Sequence, residues 1–296
     1  MRLEKPTIPE KKTIVYIIGA GRSGTTLLDI LLGNGAEYTS LGEINRFPKR
    51  DGIPPKTSTA SDKYYFWLQI RDIVMAQNNQ VKLSYIHTLH KKFEYHTGYL
   101  FNILLKKFKK HEYRIYTKFL TNLYDEIFKY TKENTIIESS KYPGRACNLS
   151  EILPYEMKYI YLQRDPVAVV NAFMKKNIEQ PSKSWLLANI YYFFVNLLCK
   201  RTIRKLGKKH NVITIKYEDL LAHPVRVLTD IEKKLSMDLS LVKEKLEKKE
   251  ALKVGYLFDG NRIRTNDVIS FQPSRYDYEK TFKNKITRYI NLSLYS

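Results

Sequence analysis

Residues 14–26 read IVYIIGAGRSGTT and run directly into LLDILLG at 27–33. A short β-branched run enters a glycine-rich turn, and the turn opens an apolar helix. The backbone N–H groups at such a helix start point outward, and the helix dipole favours negative charge there. This stretch therefore predicts an anion cradle, with a phosphate or phosphate-like group as its ligand.

The same order of elements recurs downstream. Strands are predicted at 13–18, 37–41, 135–137, 158–162 and 212–216, with helical periodicity between them. Strands alternating with helices predict an α/β fold with a central parallel sheet flanked by helices. Ligands of such sheets sit outside the carboxyl ends of the strands. Four segments fall at those ends: 19–26, Ser139-Ser140-Lys141, Arg164-Asp165-Pro166 and 217–220.

The first helix is expected over 23–32, stopped by Gly33 and Gly35, and residues 46–60 are expected as loop. Residues 61–131 contain few glycines and much Tyr and Lys. Phe66, Ile70 and Ile73/Val74 follow Ser61 at helical spacing, as do Ile115, Phe119, Leu123 and Ile127. This block is expected to be a helical insertion over the catalytic face of one domain that spans 1–296, contributing to the acceptor site.

The chain has 296 residues, with 51 Lys+Arg against 30 Asp+Glu, a formal charge of +21. That excess suits a polyanionic ligand, or a lysine-rich solvated surface. The basic runs 106–110 and 201–210 read as solvated faces. Their functional alternative is guidance of an anionic glycan, or peripheral contact with an anionic membrane. Nucleic acid is not expected as a partner. Two cysteines without a CxxC support neither a disulfide framework nor a zinc site, and no metal is expected. The first residues carry no apolar signal region, and residues 185–199 are too short to span a bilayer, which needs ~20 residues. The latter read as a buried core helix, and the chain as cytoplasmic.

Three readings compete for the loop. As G-x-G-x-x-G it fits a dinucleotide fingerprint, with Glu43 at about the spacing of a ribose contact. As G-x-x-x-x-G it half-matches the loop of nucleotide or sugar kinases, but Thr25 stands where their lysine is required. The third takes Arg22-Ser23-Gly24-Thr25-Thr26 as a unit, a cation followed by two hydroxyls at the helix start. A non-enzymatic polyanion-binding protein explains the charge without the loop.

In the third reading GAGRSGTTLL resembles the 5′-phosphosulfate loop of sulfotransferases that use 3′-phosphoadenosine 5′-phosphosulfate (PAPS). Ser139-Ser140-Lys141 is similar to that family's SSK element, and YLQRDP at 161–166 to the start of its 3′-phosphate motif. KYEDLLAHP at 216–224 and GNRIR at 260–264 resemble two later elements, in the family's order. The resemblance spans about residues 13–275 and implies a P-loop-like fold, PAPS as donor and no metal. The implied acceptor is a hydroxyl-bearing molecule, with a carbohydrate or glycoconjugate favoured over a protein tyrosine or small alcohol.

The resemblance also implies roles. Gly21, Arg22, Ser23, Gly24, Thr25 and Thr26 cradle the 5′-phosphosulfate, with Arg22 as the cation at the bridging oxygen. Lys141 stabilises transition-state charge. Glu43, in a Gly-Glu context used by some Golgi-type relatives, takes the acceptor's proton; an ion pair with Arg46 is the alternative. A histidine is the rival base, and His87, His90 and His96 lie in the insertion. Arg164 binds the 3′-phosphate, and at least one of Arg262 and Arg264 reaches the nucleotide. The family usually places Ser eight residues after the motif arginine. Ala172 stands there, so either Asn171 substitutes or that contact is lost. Residues 217–220 are expected to organise neighbouring loops, and 191–194 to be core. The sequence leaves the oligomeric state open.

Overall fold

The computed structural model describes residues 11–36, 38–78, 81–131, 133–175, 182–272 and 281–295. Its centre is a five-stranded parallel sheet in the order β2-β3-β1-β4-β5. The strands are β1 (Thr13–Gly19), β2 (Tyr38–Gly42), β3 (Thr135–Lys141), β4 (Glu156–Gln163) and β5 (Asn211–Lys216). Each predicted strand is present, most of them longer than the periodicity indicated; Glu37, in the second prediction, lies outside the described residues. Beyond the sheet, β6 (Leu252–Lys253) and β7 (Val268–Ile269) form a small antiparallel pair.

β1 is buried along its whole length and lies between β3 and β4. Side chains of a strand alternate between faces. Ile14, Tyr16 and Ile18 enter one core, while Val15 and Ile17 enter the other. The second core is closed by α1 (Thr25–Leu32) and, beyond the short α10 (Tyr217–Ala222), by α11 (Pro224–Leu235) and α12 (Ser240–Glu247).

The first core is closed largely by residues 61–131. They form α2 (Asp62–Gln77), α3 (Leu83–Phe93), α4 (His96–Leu100), α5 (Asn102–Phe108) and α6 (Lys110–Thr131). Ser61 caps α2, its hydroxyl accepting from the Tyr64 N–H at 3.2 Å. Phe66, Ile70, Val74, Phe119, Leu123 and Ile127 are buried as their spacing predicts, whereas Ile73 is exposed. This block therefore supplies a whole layer against the sheet. One 3-10 turn, Ile44–Arg46, leads into the expected loop at 46–60, and a second, Pro48–Arg50, lies near its start.

Beneath the same layer lies a polar network without solvent contact. α7 (Pro143–Ile152) presents Arg145, which donates to Glu138 and Glu94 at 2.6 Å each and to the Tyr124 hydroxyl at 2.9 Å. Glu94 also accepts from Tyr116 at 2.9 Å, and Glu138 from Tyr124 and Ser140. Arg145, Glu94 and Glu138 are each fully buried. Burial raises the Glu94 carboxyl, against the pull of Arg145. The network ties the end of α3, α6 and α7 to β3, just before Lys141.

The remaining layer contains α8 (Pro166–Met174), α9 (Trp185–Leu206) and α13 (Phe282–Tyr295). α9 is not buried all round as expected. Tyr192, Val195, Asn196 and Cys199 face inward, but Leu186, Leu187 and Ile190 are 56–59% exposed. Among the described residues no helix is long and apolar enough to cross a membrane.

Candidate active site

The crevice lies where β1, β3 and β4 end. After Gly19 the chain passes through Arg22 at φ 67° and Gly24 at φ 91°, and α1 begins at Thr25. A non-glycine residue in the left-handed region costs roughly 1–2 kcal/mol, so the packing holds Arg22 in a conformation it does not prefer. Gly24 has no such freedom to lose: a Cβ there would sit 2.1 Å from the Tyr217 ring. No side chain caps the start of α1. The uncapped helix start keeps its positive pole for an anion.

The loop is braced from several sides. Ser23 Oγ donates to the Ala20 carbonyl at 2.5 Å. Gly21 donates its N–H to the Tyr191 hydroxyl at 3.0 Å, so this amide is already engaged and the cradle proper begins beyond it. Thr26 Oγ1 accepts from the Asn261 N–H at 3.1 Å, which seats the 260–264 segment on the helix start. Thr25 and Thr26 are both buried.

β3 ends in a bulge. Tyr16 pairs with Glu138 but Ile18 pairs with Lys141, so β3 carries one extra residue. Bulges re-aim side chains beside sites, and Lys141 leaves the strand at φ 74°. Its ammonium pairs with Glu43, which follows β2. Glu43 also accepts from Arg46 Nε at 2.8 Å, so the expected alternative ion pair exists beside the pair with Lys141. Burial pushes the Glu43 carboxyl up, but Lys141 and Arg46 more than offset this and hold it at about 2.

On the other side of β1, Arg164 follows β4. Its Nη1 donates to the Arg22 carbonyl at 2.8 Å, and its guanidinium stacks 4.5 Å above the Tyr217 ring. Its Nε is buried without a hydrogen-bond partner among the described residues. Asp165 does not pair with Arg164. It caps α8 by accepting from Val167 and Ala168, and meets Arg288 at 3.5 Å. Glu218 accepts from the Asp165 N–H at 3.0 Å, so residues 217–220 do organise the neighbouring loop.

Arg262 and Arg264 diverge. Arg262 is exposed, while Arg264 is buried, 3.3 Å from Asp259, and donates to the Pro55 carbonyl at 2.8 Å. Asp259 is shared with Arg46 at 3.8 Å, which links Arg264 to the Glu43 side of the crevice and not to Arg164. Asn171 and Ala172 are half-buried on α8.

Two residues at the site, Tyr191 and Tyr142, have no site role in the sequence reading, and a third, His96, is one of its three rival-base candidates. Tyr191, expected in the core with 192–194, holds the loop. Tyr142, next to Lys141, stacks on Tyr95 at 4.5 Å. His96 lies 5.2 Å from the Tyr142 ring and 6.4 Å from that of Tyr191, and burial lowers it to about 4. The other two insertion histidines differ. His90 is fully buried with Nδ1 3.2 Å from the Asn45 carbonyl, and His87 is lowered by burial and by Lys91. Among the described residues no group of His, Cys, Asp or Glu side chains converges on a metal position.

The arrangement offers an uncapped helix start, a buried carboxylate–lysine pair on one side and a stacked arginine on the other. The family model of the sulfotransferase family matches residues 15–240, which contain all three features but not the 260–264 segment. No curated protein matches. Two solved structures share the fold across nearly the whole chain. One is the sulfotransferase domain from the Synechococcus PCC 7002 olefin synthase, at 18% identity and TM-score 0.53, covering 100% of this chain and 99% of that one. The other is the sulfotransferase domain from the curacin biosynthetic pathway, at 14% identity and TM-score 0.55, covering 95% and 98%. With its five-stranded parallel sheet, its loop and its motifs in order, the chain belongs to the sulfotransferase family.

Proposed function

We propose that this protein transfers a sulfuryl group from PAPS to an acceptor hydroxyl, with Glu43 as the base. The observation that carries the reading is Arg164. It packs against the loop through the Arg22 carbonyl, lies flat on an aromatic ring, and keeps a buried Nε unpartnered. A guanidinium set this way is suited to a phosphate beside, not within, the loop. A donor with phosphate groups at both ends of its ribose matches that spacing of cations. Thr25, buried where a triphosphate loop needs lysine, argues against a kinase.

The residues fit such a donor. Ser23, Gly24, Thr25 and Thr26 would hold the 5′-phosphosulfate at the uncapped helix start, with Arg22 as its cation. Arg164 would hold the 3′-phosphate, with Asn171 as the candidate second contact. Arg262, exposed beside Thr26, is the better placed of the two late arginines. Bound PAPS supplies an activated sulfuryl group on a phosphate leaving group. The protein's part is positioning and charge stabilisation.

Lys141 has two anions to serve. Without donor it pairs with Glu43. With donor, it turns to the transferring group, and Glu43 loses one of its two cations. Burial then raises the carboxyl toward the range in which it accepts a proton. The lysine thus couples donor binding to the basicity of Glu43. His96 is the rival base that the packing brings nearest to Lys141, through Tyr142. The acceptor is a hydroxyl-bearing molecule, with a carbohydrate or glycoconjugate favoured.

Arg164→Ala tests the donor assignment. Charge-assisted hydrogen bonds are worth about 1.5–3 kcal/mol, so binding of 3′-phosphoadenosine 5′-phosphate should weaken roughly 10–100-fold by calorimetry. Adenosine 5′-phosphate, which lacks the 3′-phosphate, should weaken far less. Equal losses would contradict the assignment.

A further inference from the structure

α9 changes character along one face. At 3.6 residues per turn, positions 186, 190, 193, 197, 201 and 204 fall on a single stripe. Leu186, Ile190 and Phe193 are exposed at 59%, 56% and 38%, with Leu187 beside them at 58%. Arg201 and Arg204 continue the stripe, both exposed, and neither has an ion-pair partner among the described residues. Lys205 flanks them, 3.7 Å from Glu151. The opposite face of the helix is core.

Both flanks of α9 add exposed apolar side chains. α13 is fixed to it by Trp185 Nε1 to Thr287 Oγ1 at 3.0 Å and Asn291 Nδ2 to Asn189 Oδ1 at 3.1 Å. α13 exposes Phe282 and Tyr289 at 78% and 83%, with Lys283 and Lys285 also exposed. On the other flank α4 packs through Thr202 Oγ1 to the Tyr99 hydroxyl at 2.9 Å and exposes Leu100 at 51%.

Exposed apolar side chains in a contiguous group mark an interaction surface. The partner must accept aliphatic and aromatic side chains at one end of α9 and cations at the other. Nucleic acid leaves the apolar half without a partner. A second copy of this chain brings like charges together, or lays arginines on leucines. An anionic bilayer satisfies both halves, acyl chains for one and acidic headgroups for the other.

We propose that α9 docks this protein on an anionic membrane surface, its leucine-rich half entering the headgroup–acyl boundary. Tyr191, adjacent to Ile190, holds Gly21 of the donor loop. Docking therefore puts the crevice within about one helix diameter, ~10 Å, of the bilayer. Resting on the sulfuryl-transfer reading, this implies an acceptor carried in the membrane with its hydroxyl in the headgroup layer.

The test is co-sedimentation of the full chain with vesicles of phosphatidylcholine alone, or of phosphatidylcholine with phosphatidylglycerol. Binding is expected to the second only, and to weaken as salt rises. Arg201→Glu/Arg204→Glu should lower it at least ~25-fold, since each cation near such a surface contributes about fivefold. Leu187→Asp/Ile190→Asp should lower it comparably. Both variants should keep the wild-type unfolding midpoint, and their affinity for 3′-phosphoadenosine 5′-phosphate should match that of the wild type. Equal binding to both vesicles, no binding at low salt, or variants that bind like the wild type overturns the proposal. So does a solution dimer that Leu187→Asp/Ile190→Asp disperses. Vesicle binding without nucleotide binding would sink the donor reading and leave the docking surface standing.

Discussion

Glu43→Gln is expected to cut kcat by ~10²–10⁴-fold, the range for losing a general base, while 3′-phosphoadenosine 5′-phosphate binds as tightly as before. The substitution keeps shape and removes the proton acceptor. It also frees Lys141 from its pair, so nucleotide affinity should be unchanged or slightly higher. The wild-type pH profile carries the second half of the prediction. Glu43 is held at about 2 in the unliganded protein. The acid limb of kcat, which reports the loaded enzyme, should lie above that of kcat/KM for the donor, which reports the free one. The same pair contributes to stability. A depressed carboxyl stabilises the fold above the ordinary carboxylate range and stops doing so as pH falls from there toward 2. Glu43→Gln should abolish that part of the acid dependence. An unchanged rate removes Glu43 from the chemistry and moves attention to His96.

Arg145→Met is expected to cost about 3–5 kcal/mol, because it leaves Glu94 and Glu138 buried without their cation. In a domain of this size that lowers the unfolding midpoint by roughly 5–15 °C. The three groups are fully buried, and each contact to the guanidinium is short and direct. The cost lies in the stranded charges and not in lost attraction. Replacing Arg145, Glu94 and Glu138 together with apolar residues of similar volume should therefore recover most of the loss. A single variant within 1 kcal/mol of wild type, by denaturant unfolding, would contradict the account. So would a triple variant no more stable than the single one. Glu138 is bonded to Ser140, whose hydroxyl accepts from Asn45 at 3.1 Å. Lys141 adjoins Ser140 and Glu43 lies two residues before Asn45, so the single variant, folded at low temperature, should also turn over more slowly.

The fold was legible because its evidence is local. β-branched runs, glycine stops and helical spacing lie within a dozen residues of one another, and β1, its loop and α1 appear where the pattern puts them. The site was legible as motifs but not as partners. Lys141 meets Glu43 across 98 positions, and Gly21 meets Tyr191 across 170. Nothing local in YYFF at 191–194 distinguishes the tyrosine that braces the loop from the one beside it that is core. Residues 185–199 are apolar but for Asn189 and Asn196, which reads as burial; only the arginines that follow at 201 and 204 hint that one face is turned outward. The resemblance of GNRIR makes one of Arg262 and Arg264 a nucleotide ligand, and it does not say which; Asp259, five residues before Arg264, lies 3.3 Å from that guanidinium. PGRACN gives no sign that Arg145 is buried, since its carboxylates stand on two other elements, Glu138 seven residues before it and Glu94 51 residues before it.

The most direct measurement is calorimetric titration of the purified wild-type chain with 3′-phosphoadenosine 5′-phosphate, adenosine 5′-phosphate, ATP and NAD. Saturable binding of the first, at least tenfold tighter than the second and tighter than the last two without added metal, is the predicted result. No heat from the 3′-phosphorylated nucleotide, with clear binding of ATP or NAD, would contradict the account.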